Sequence, residues 1–197
     1  MAQTQLTALT WDEDYQTARV PLYKLTSELI GGSAGLFFQE LREARGLAYT
    51  AQGRLDRGAL PGDDNLLVAR VATTPEKAAN TASLLLRLLR EVPIDPARFR
   101  RAHASALTKL MGETTPFRRV PTTVLSWRLR GLDADPRPGW IKALRELDQS
   151  QWRAYADRWH SQPITLALLG DLSRIDRSAL HRLGDCIELD FSEISVR

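Results

Sequence analysis

A single cysteine, Cys186, leaves the chain without an intramolecular disulfide and without a cysteine-built zinc finger. Histidine is nearly as scarce. His103, His160 and His181 lie too far apart for any two to share a helical turn. Neither H-E-x-x-H nor H-x-x-E-H therefore occurs, which excludes a zinc site built on one helix. Each histidine reads as an ordinary helix-surface or edge residue. There is no G-x-S-x-G elbow for a hydrolase serine. No apolar run approaches the roughly 18 residues of a membrane span, and Met1 to Asp14 lacks the basic-then-apolar pattern of a signal peptide. Low-complexity tracts, short repeats and an obvious linker are missing too, so positions 1–197 read as one domain.

What is present is ordinary globular composition: 43% hydrophobic and 26% charged residues over 197 positions, enough to bury a core. The net charge of +3 comes from 27 basic and 24 acidic residues that are interspersed, as in Arg42-Glu43-Ala44-Arg45. That mixture reads as solvated helix faces and gives no support to a nucleic-acid surface.

Near-alternation over Thr4 to Trp11 predicts a strand. Pro21 opens a helix with Leu22, Leu25, Leu29 and Ile30 on one stripe, ended by Gly31 and Gly32. Ser33 is a candidate N-cap for a second helix to about Arg45, with Gly46 as its stop. Leu47 to Leu55 and Leu66 to Ala72 read as strands, joined across the polar stretch from Asp56 to Asn65. Thr74-Pro75-Glu76 and Asp95-Pro96 start helices through Leu89 and about Met111. Pro121 to Leu132 and Trp140 to Leu147 are helical, and Asp148 with Gln151 forms a capping-box start for a helix up to His160. Ile164 to Leu169 reads as a strand, Asp176 to Leu183 as a short helix, and Cys186 to Phe191 as a last strand. The order implies an α+β fold, a mostly antiparallel sheet with helices packed on one face. Trp152 and Trp159, seven apart on one helix face, are expected in the core; Trp127 and Trp140 complete that tryptophan group.

Two stretches invite a chemical reading. Gly31-Gly32-Ser33-Ala34-Gly35 has the look of a phosphate loop but lacks the Walker lysine and the G-x-G-x-x-G spacing, so it reads as a helix-to-helix turn. The second runs from Phe38 to Tyr49, FQELREARGLAY. With its glycine-rich approach it resembles the turn, helix and strand in the C-terminal halves of pitrilysin/insulinase-family zinc metallopeptidases. Ile94 to Phe99, Leu147 to Trp152 and Ile164 to Asp171 resemble the family's later helix starts and returning strand, so the likeness covers most of the chain. The glycine run is shorter than usual for the family: Ile30 precedes Gly31-Gly32-Ser33.

The resemblance implies the same α+β fold and a clamshell of two similar halves around a peptide. One half would hold zinc and the water-activating carboxylate on an inverted H-x-x-E-H helix. The facing, non-zinc-binding half would offer an arginine and a tyrosine seven positions apart, here Arg42 and Tyr49. This chain would then bind no cofactor and no metal itself, its partners being the zinc-binding half and a peptide substrate. That half would lie on the same polypeptide or on a second subunit. By itself the chain would be inactive by the family mechanism. A catalytically inactive scaffold or assembly module of the same fold is the alternative; a standalone metal-independent hydrolase has no motif behind it.

The proposed pair is physically sensible. Gly46 turns the chain, with Arg42 one helical turn before it, about 6 Å away, and Tyr49 three strand residues after it, about 10 Å away. Without the resemblance, Arg42 reads as a solvent-facing helix residue and Tyr49 as a half-buried strand aromatic.

Overall fold

The computed structural model describes residues 3–189. Alternating apolar and polar side chains over Thr4–Asp14 form strand β1, whose Leu6, Ala8 and Thr10 are buried while Gln5 and Trp11 stay exposed. It lies between β3 (Asp64–Thr73) and β4 (Ile164–Leu169), and β2 (Thr50–Asp56) pairs with the far edge of β3. All pairings are antiparallel, in the order β2-β3-β1-β4. Leu6 sits opposite Val71 and Leu168, and Ala8 opposite Ala69 and Leu166, which aligns one apolar face across the sheet.

The helices bury that face. Val20–Ile30 forms α1, with Pro21 in its first turn and Tyr23, Leu25, Leu29 and Ile30 buried. Ala78–Glu91 forms α2, burying Leu85, Leu88 and Leu89, and Pro96–Met111 forms α3, burying Phe99, Ala102, Ala106 and Leu110. Further on come α4 (Val120–Leu129), α5 (Arg137–Glu146), α6 (Gln149–Ala156) and α7 (Arg177–His181). Local signals set the starts. Asp95 accepts a hydrogen bond from the Arg98 amide, and Asp148 and Gln151 form the reciprocal capping box. Trp152 and Trp159 are fully buried as expected, and Trp152 Nε1 donates to Thr26 Oγ1 at 3.1 Å. Each such side chain contributes on the order of 2–3 kcal/mol by its burial.

Three expectations need correction. The segment expected to be helical from Ser33 begins winding only at Leu36, after a Gly32–Gly35 turn, and Phe38–Glu43 is a π-helix. Ser33 therefore caps nothing; its carbonyl accepts from Gln39 Nε2 at 2.6 Å. Leu47 to Tyr49 lie outside β2, because the Leu47 carbonyl is taken by the Thr73 hydroxyl, at 2.5 Å, in place of a strand ladder. Finally, Cys186 to Leu189 form no strand: Ile187 is 84% exposed and Leu189 61%, so neither apolar side chain is buried against the sheet. Asp190 and Phe191 lie outside the described residues.

Candidate functional site

The stretch from Gly31 to Tyr49 is anchored by its apolar side and closed by polar ties. Leu36, Phe37 and Leu41 are fully buried. Phe37 can pack against β2 only because residue 53 is glycine, since a Cβ there would stand 2.4 Å from the phenyl ring. The winding is one residue wider than an α-helix: Ala44 N donates to Gln39 O, five residues back, at 2.9 Å. The end shows the same widening. Gly46 N reaches Arg42 O at 3.0 Å and Leu47 N reaches Leu41 O at 2.8 Å, each one residue longer than in the usual Schellman closure. Gly46 has φ +56°, a conformation costly for other residues, so its expected role as the stop holds.

Beyond the turn, the backbone is pinned from β3 and α2. Thr73 and Thr81, both fully buried, direct hydroxyls at the Leu47 carbonyl, and Lys77 Nζ donates to the Gly46 carbonyl at 2.8 Å. Tyr49 N donates to Ala72 O at 2.8 Å, tying Tyr49 to the end of the sheet. One side of the π-helix is clamped as well. Glu40 accepts from Arg45 at 2.6 Å and from Arg98 at 3.3 Å. The Arg45 hydrogen bond is the main cause holding its carboxyl below the usual carboxylate range.

Arg42 stands in the last turn of the π-helix, its guanidinium 4.8 Å from the Phe38 ring centroid and 3.6 Å from the Glu43 carboxylate. Its side chain is 47% exposed, and Tyr49 is exposed to the same degree. The two predicted site residues thus flank one hydrogen-bonded turn at one end of the sheet, each about half exposed. They differ from expectation in local structure, Arg42 lying on a π-helix and Tyr49 just ahead of its strand. A cleft of about 310 Å³ lies beside this region, between the Gly31–Ala34 loop and α3. Its one carboxylate, Glu28, is already held by Ser105 Oγ and Lys109 Nζ at 2.8 and 2.7 Å.

The sequence reading missed a buried charged cluster at the far end of β1. A bulge between Trp11 and Asp14 turns two consecutive carboxylates, Asp12 and Glu13, inward. Asp12 accepts from Tyr155 at 2.7 Å and Trp159 at 2.9 Å, while Glu13 is bound by Arg19, Arg158 and Tyr23. Burial pushes the Asp12 carboxyl up, although Tyr155, Trp159 and Arg158 oppose it. It pushes the Tyr155 phenol well up, aided by Asp12. The only sequence signal was a run of three acidic residues, Asp12 to Asp14, that broke the alternation of β1. Every strong hydrogen bond in the cluster joins elements of the core, which marks it as a structural lock.

Nothing in this arrangement suits a zinc ion. His103 is bound to the Leu144 carbonyl at 2.6 Å and stacks on Phe99, His160 is bound to the Asp157 carbonyl, and His181 lies on α7. Among the described residues, no group of three or more His, Cys, Asp and Glu side chains could hold a metal.

The profile of the peptidase M16 inactive domain matches residues 3–105, just over half of the chain and all of the Gly31–Tyr49 stretch. The chain belongs to the peptidase M16 family, as its inactive domain. The resemblance to pitrilysin/insulinase-type peptidases is thereby borne out.

The fold of this M16 domain recurs in solved structures. A peptidase M16 inactive domain from Pseudomonas fluorescens superposes with a TM-score of 0.64 at 16% identity, over 85% of this chain and 40% of that one. The periplasmic protease PqqL from Escherichia coli gives 0.61 at 14% identity, over 85% of this chain and 19% of that one. A chain of Complex III2 from Candida albicans gives 0.62 at 13% identity, over 94% of this chain and 45% of that one. At such identities the likeness is one of fold. The M16 domain spans less than half the length of each of these chains. No match was found among curated protein sequences. None of its described helices is long and apolar enough to cross a membrane.

Proposed function

We propose that this M16 domain is the non-zinc half of a two-half zinc endopeptidase, and that it contacts the peptide backbone through Arg42 and Tyr49. The observation that carries the proposal is the pair itself: two hydrogen-bond donors, each about half exposed, flank a turn pinned by Thr73, Thr81 and Lys77. A guanidinium and a phenol held in this way suit a substrate carbonyl, or the oxyanion that develops on it during attack, because the turn needs no reorganisation when charge appears. Zinc and the water-activating carboxylate are assigned to the facing half, since the histidines here are dispersed and His103 and His160 are engaged with backbone carbonyls. The role left to this chain is to orient the peptide and donate hydrogen bonds.

The test is turnover of the enzyme assembled with its H-x-x-E-H half. Arg42→Ala and Tyr49→Phe are each expected to lower kcat by roughly 100-fold, on the order of 3 kcal/mol, with unchanged thermal unfolding of this domain. Normal turnover in both variants overturns the substrate-contact role.

A second reading, a catalytically inactive assembly module, is favoured by one observation. Arg42 already has internal company in Phe38 and Glu43 and is not wholly committed to a ligand. Under that reading neither substitution changes turnover.

A further inference from the structure

Helix α4 is built inside out. Its less exposed residues are Thr123, Ser126, Trp127 and Arg130, an i, i+3, i+4, i+7 stripe that is mostly polar. Its exposed residues include Val120, Val124, Leu125 and Leu129, the two leucines at 57% and 61%, and Phe117 just ahead of the helix is 83% exposed. No residue of α4 is buried. What holds the helix in place is cationic: Arg130 Nε donates to the Ala59 carbonyl at 2.8 Å and its guanidinium lies 5.4 Å from the Tyr15 ring centroid, while Arg137 lies 5.6 Å from that of Trp127. A surface helix of a self-sufficient domain turns its apolar stripe inward. A contiguous apolar surface left in water marks a place where another protein surface belongs.

Charge and length identify the occupant. Residues 117–131 contain Arg118, Arg119, Arg128 and Arg130 and no Asp or Glu. A second copy docking through the same face would bring these arginines together, so the surface suits a partner with an acidic rim. Most of this chain superposes on structures of which it represents only 19–45%, so more than half of each of those chains has no counterpart here. We infer that the outward face of α4 seats the other half of the peptidase, whose apolar surface, rimmed by carboxylates, covers Phe117, Val124, Leu125 and Leu129. This rests on the two-half reading above.

The location separates pairing from chemistry. Arg130 ties α4 to the β2–β3 loop, beyond the Asp56–Leu66 rung, whereas Tyr49 is tied to Ala72. Six residue steps along β3, from Leu66 to Ala72, separate those levels, roughly 20 Å. Altering α4 should therefore weaken association of the halves and spare kcat of the assembled enzyme.

Hydrogen exchange over residues 117–132, with and without the H-x-x-E-H half, reads the surface directly, and sedimentation reads the affinity. Protection of this segment is expected on pairing. The double variant Leu125→Glu/Leu129→Glu is expected to bind at least about 100-fold more weakly, as for the loss of two interface anchors. Arg118→Glu/Arg119→Glu is expected to bind roughly tenfold more weakly, with a flatter salt dependence. Full affinity in the leucine variant, or exchange over 117–132 unchanged in a complex that does form, overturns this surface while leaving the two-half reading intact. Failure of the unmodified halves to associate overturns both. Self-association of the isolated chain that those leucine substitutions abolish would replace the acidic partner by a second copy, and so overturn the assignment.

Discussion

Helices α3 and α4 follow one another in the chain, and proline stands in the first turn of each, yet they face opposite ways. In α3 the stripe Phe99, Ala102, Ala106 and Leu110 is buried and arginines 100 and 101 are exposed. In α4 the aliphatic side chains look outward, while Thr123, Ser126, Trp127 and Arg130 are the less exposed residues. Local propensity does not distinguish the two, so the difference must come from what each finds to pack against. The face of α3 is covered by this domain, whereas the aliphatic face of α4 stays exposed among the described residues.

The contrast can be broken by substitution in the isolated chain. Phe99→Ala on α3 removes a buried ring and is expected to cost about 3–5 kcal/mol. Leu129→Ala on α4, the same kind of truncation, is expected to stay within about 0.5 kcal/mol. Denaturant midpoints measured at equal slope decide between them, and comparable losses would mean that α4 is packed in solution after all. A smaller effect is expected at Gly53→Ala, on the packed side of the comparison. The new methyl collides with Phe37, costing on the order of 1–3 kcal/mol and loosening the π-helix behind Arg42. Loss of exchange protection in residues 36–47 would register that loosening.

The smallest effect is electrostatic. Asp95 caps α3, and the Arg98 amide hydrogen bond holds its carboxyl below the ordinary value of 3.8. Since its folded value is depressed, the cap's contribution is complete above 3.8 and is lost as pH falls through the folded value. The α4 start has no side-chain cap and should not respond. Carboxyl titration of Asp95 by NMR, with exchange rates in the first turns of α3 and α4, checks both halves of the statement.

Where local chemistry decides, the sequence was readable. Asp95-Pro96 located α3, the Asp148/Gln151 box located α6, and the compact apolar run Ile164–Leu169 matched β4 at both ends. Gly46 was legible as a stop, because a left-handed residue at a helix end calls for glycine. Less could be read where distant groups compete for the backbone. The strand start at Leu47 failed because threonines from β3 and α2 claim its carbonyl. The described part of the expected final strand, Cys186 to Leu189, is not a strand, and its apolar residues Ile187 and Leu189 stay exposed. Periodicity also shows that a helix has an apolar side without telling what will cover it, which is why α4 looked ordinary. For the candidate site, the residue pair came from resemblance to a family. Its exposure and the hydrogen bonds that pin its turn are structural findings that no spacing argument could supply.

The π-helix beside Arg42 has a consequence for engineering. Phe37 is locked against Gly53 on one side and Gly46 is bolted to Lys77 on the other, so the residues between them span two fixed points. A one-residue deletion there cannot be absorbed by sliding either end. It would tighten the winding toward α pitch, about 100° per residue, and so change the direction in which Arg42 leaves the axis. The extra residue acts as a phase setting, and the direction of the guanidinium is encoded in the length of this segment as much as in the arginine itself.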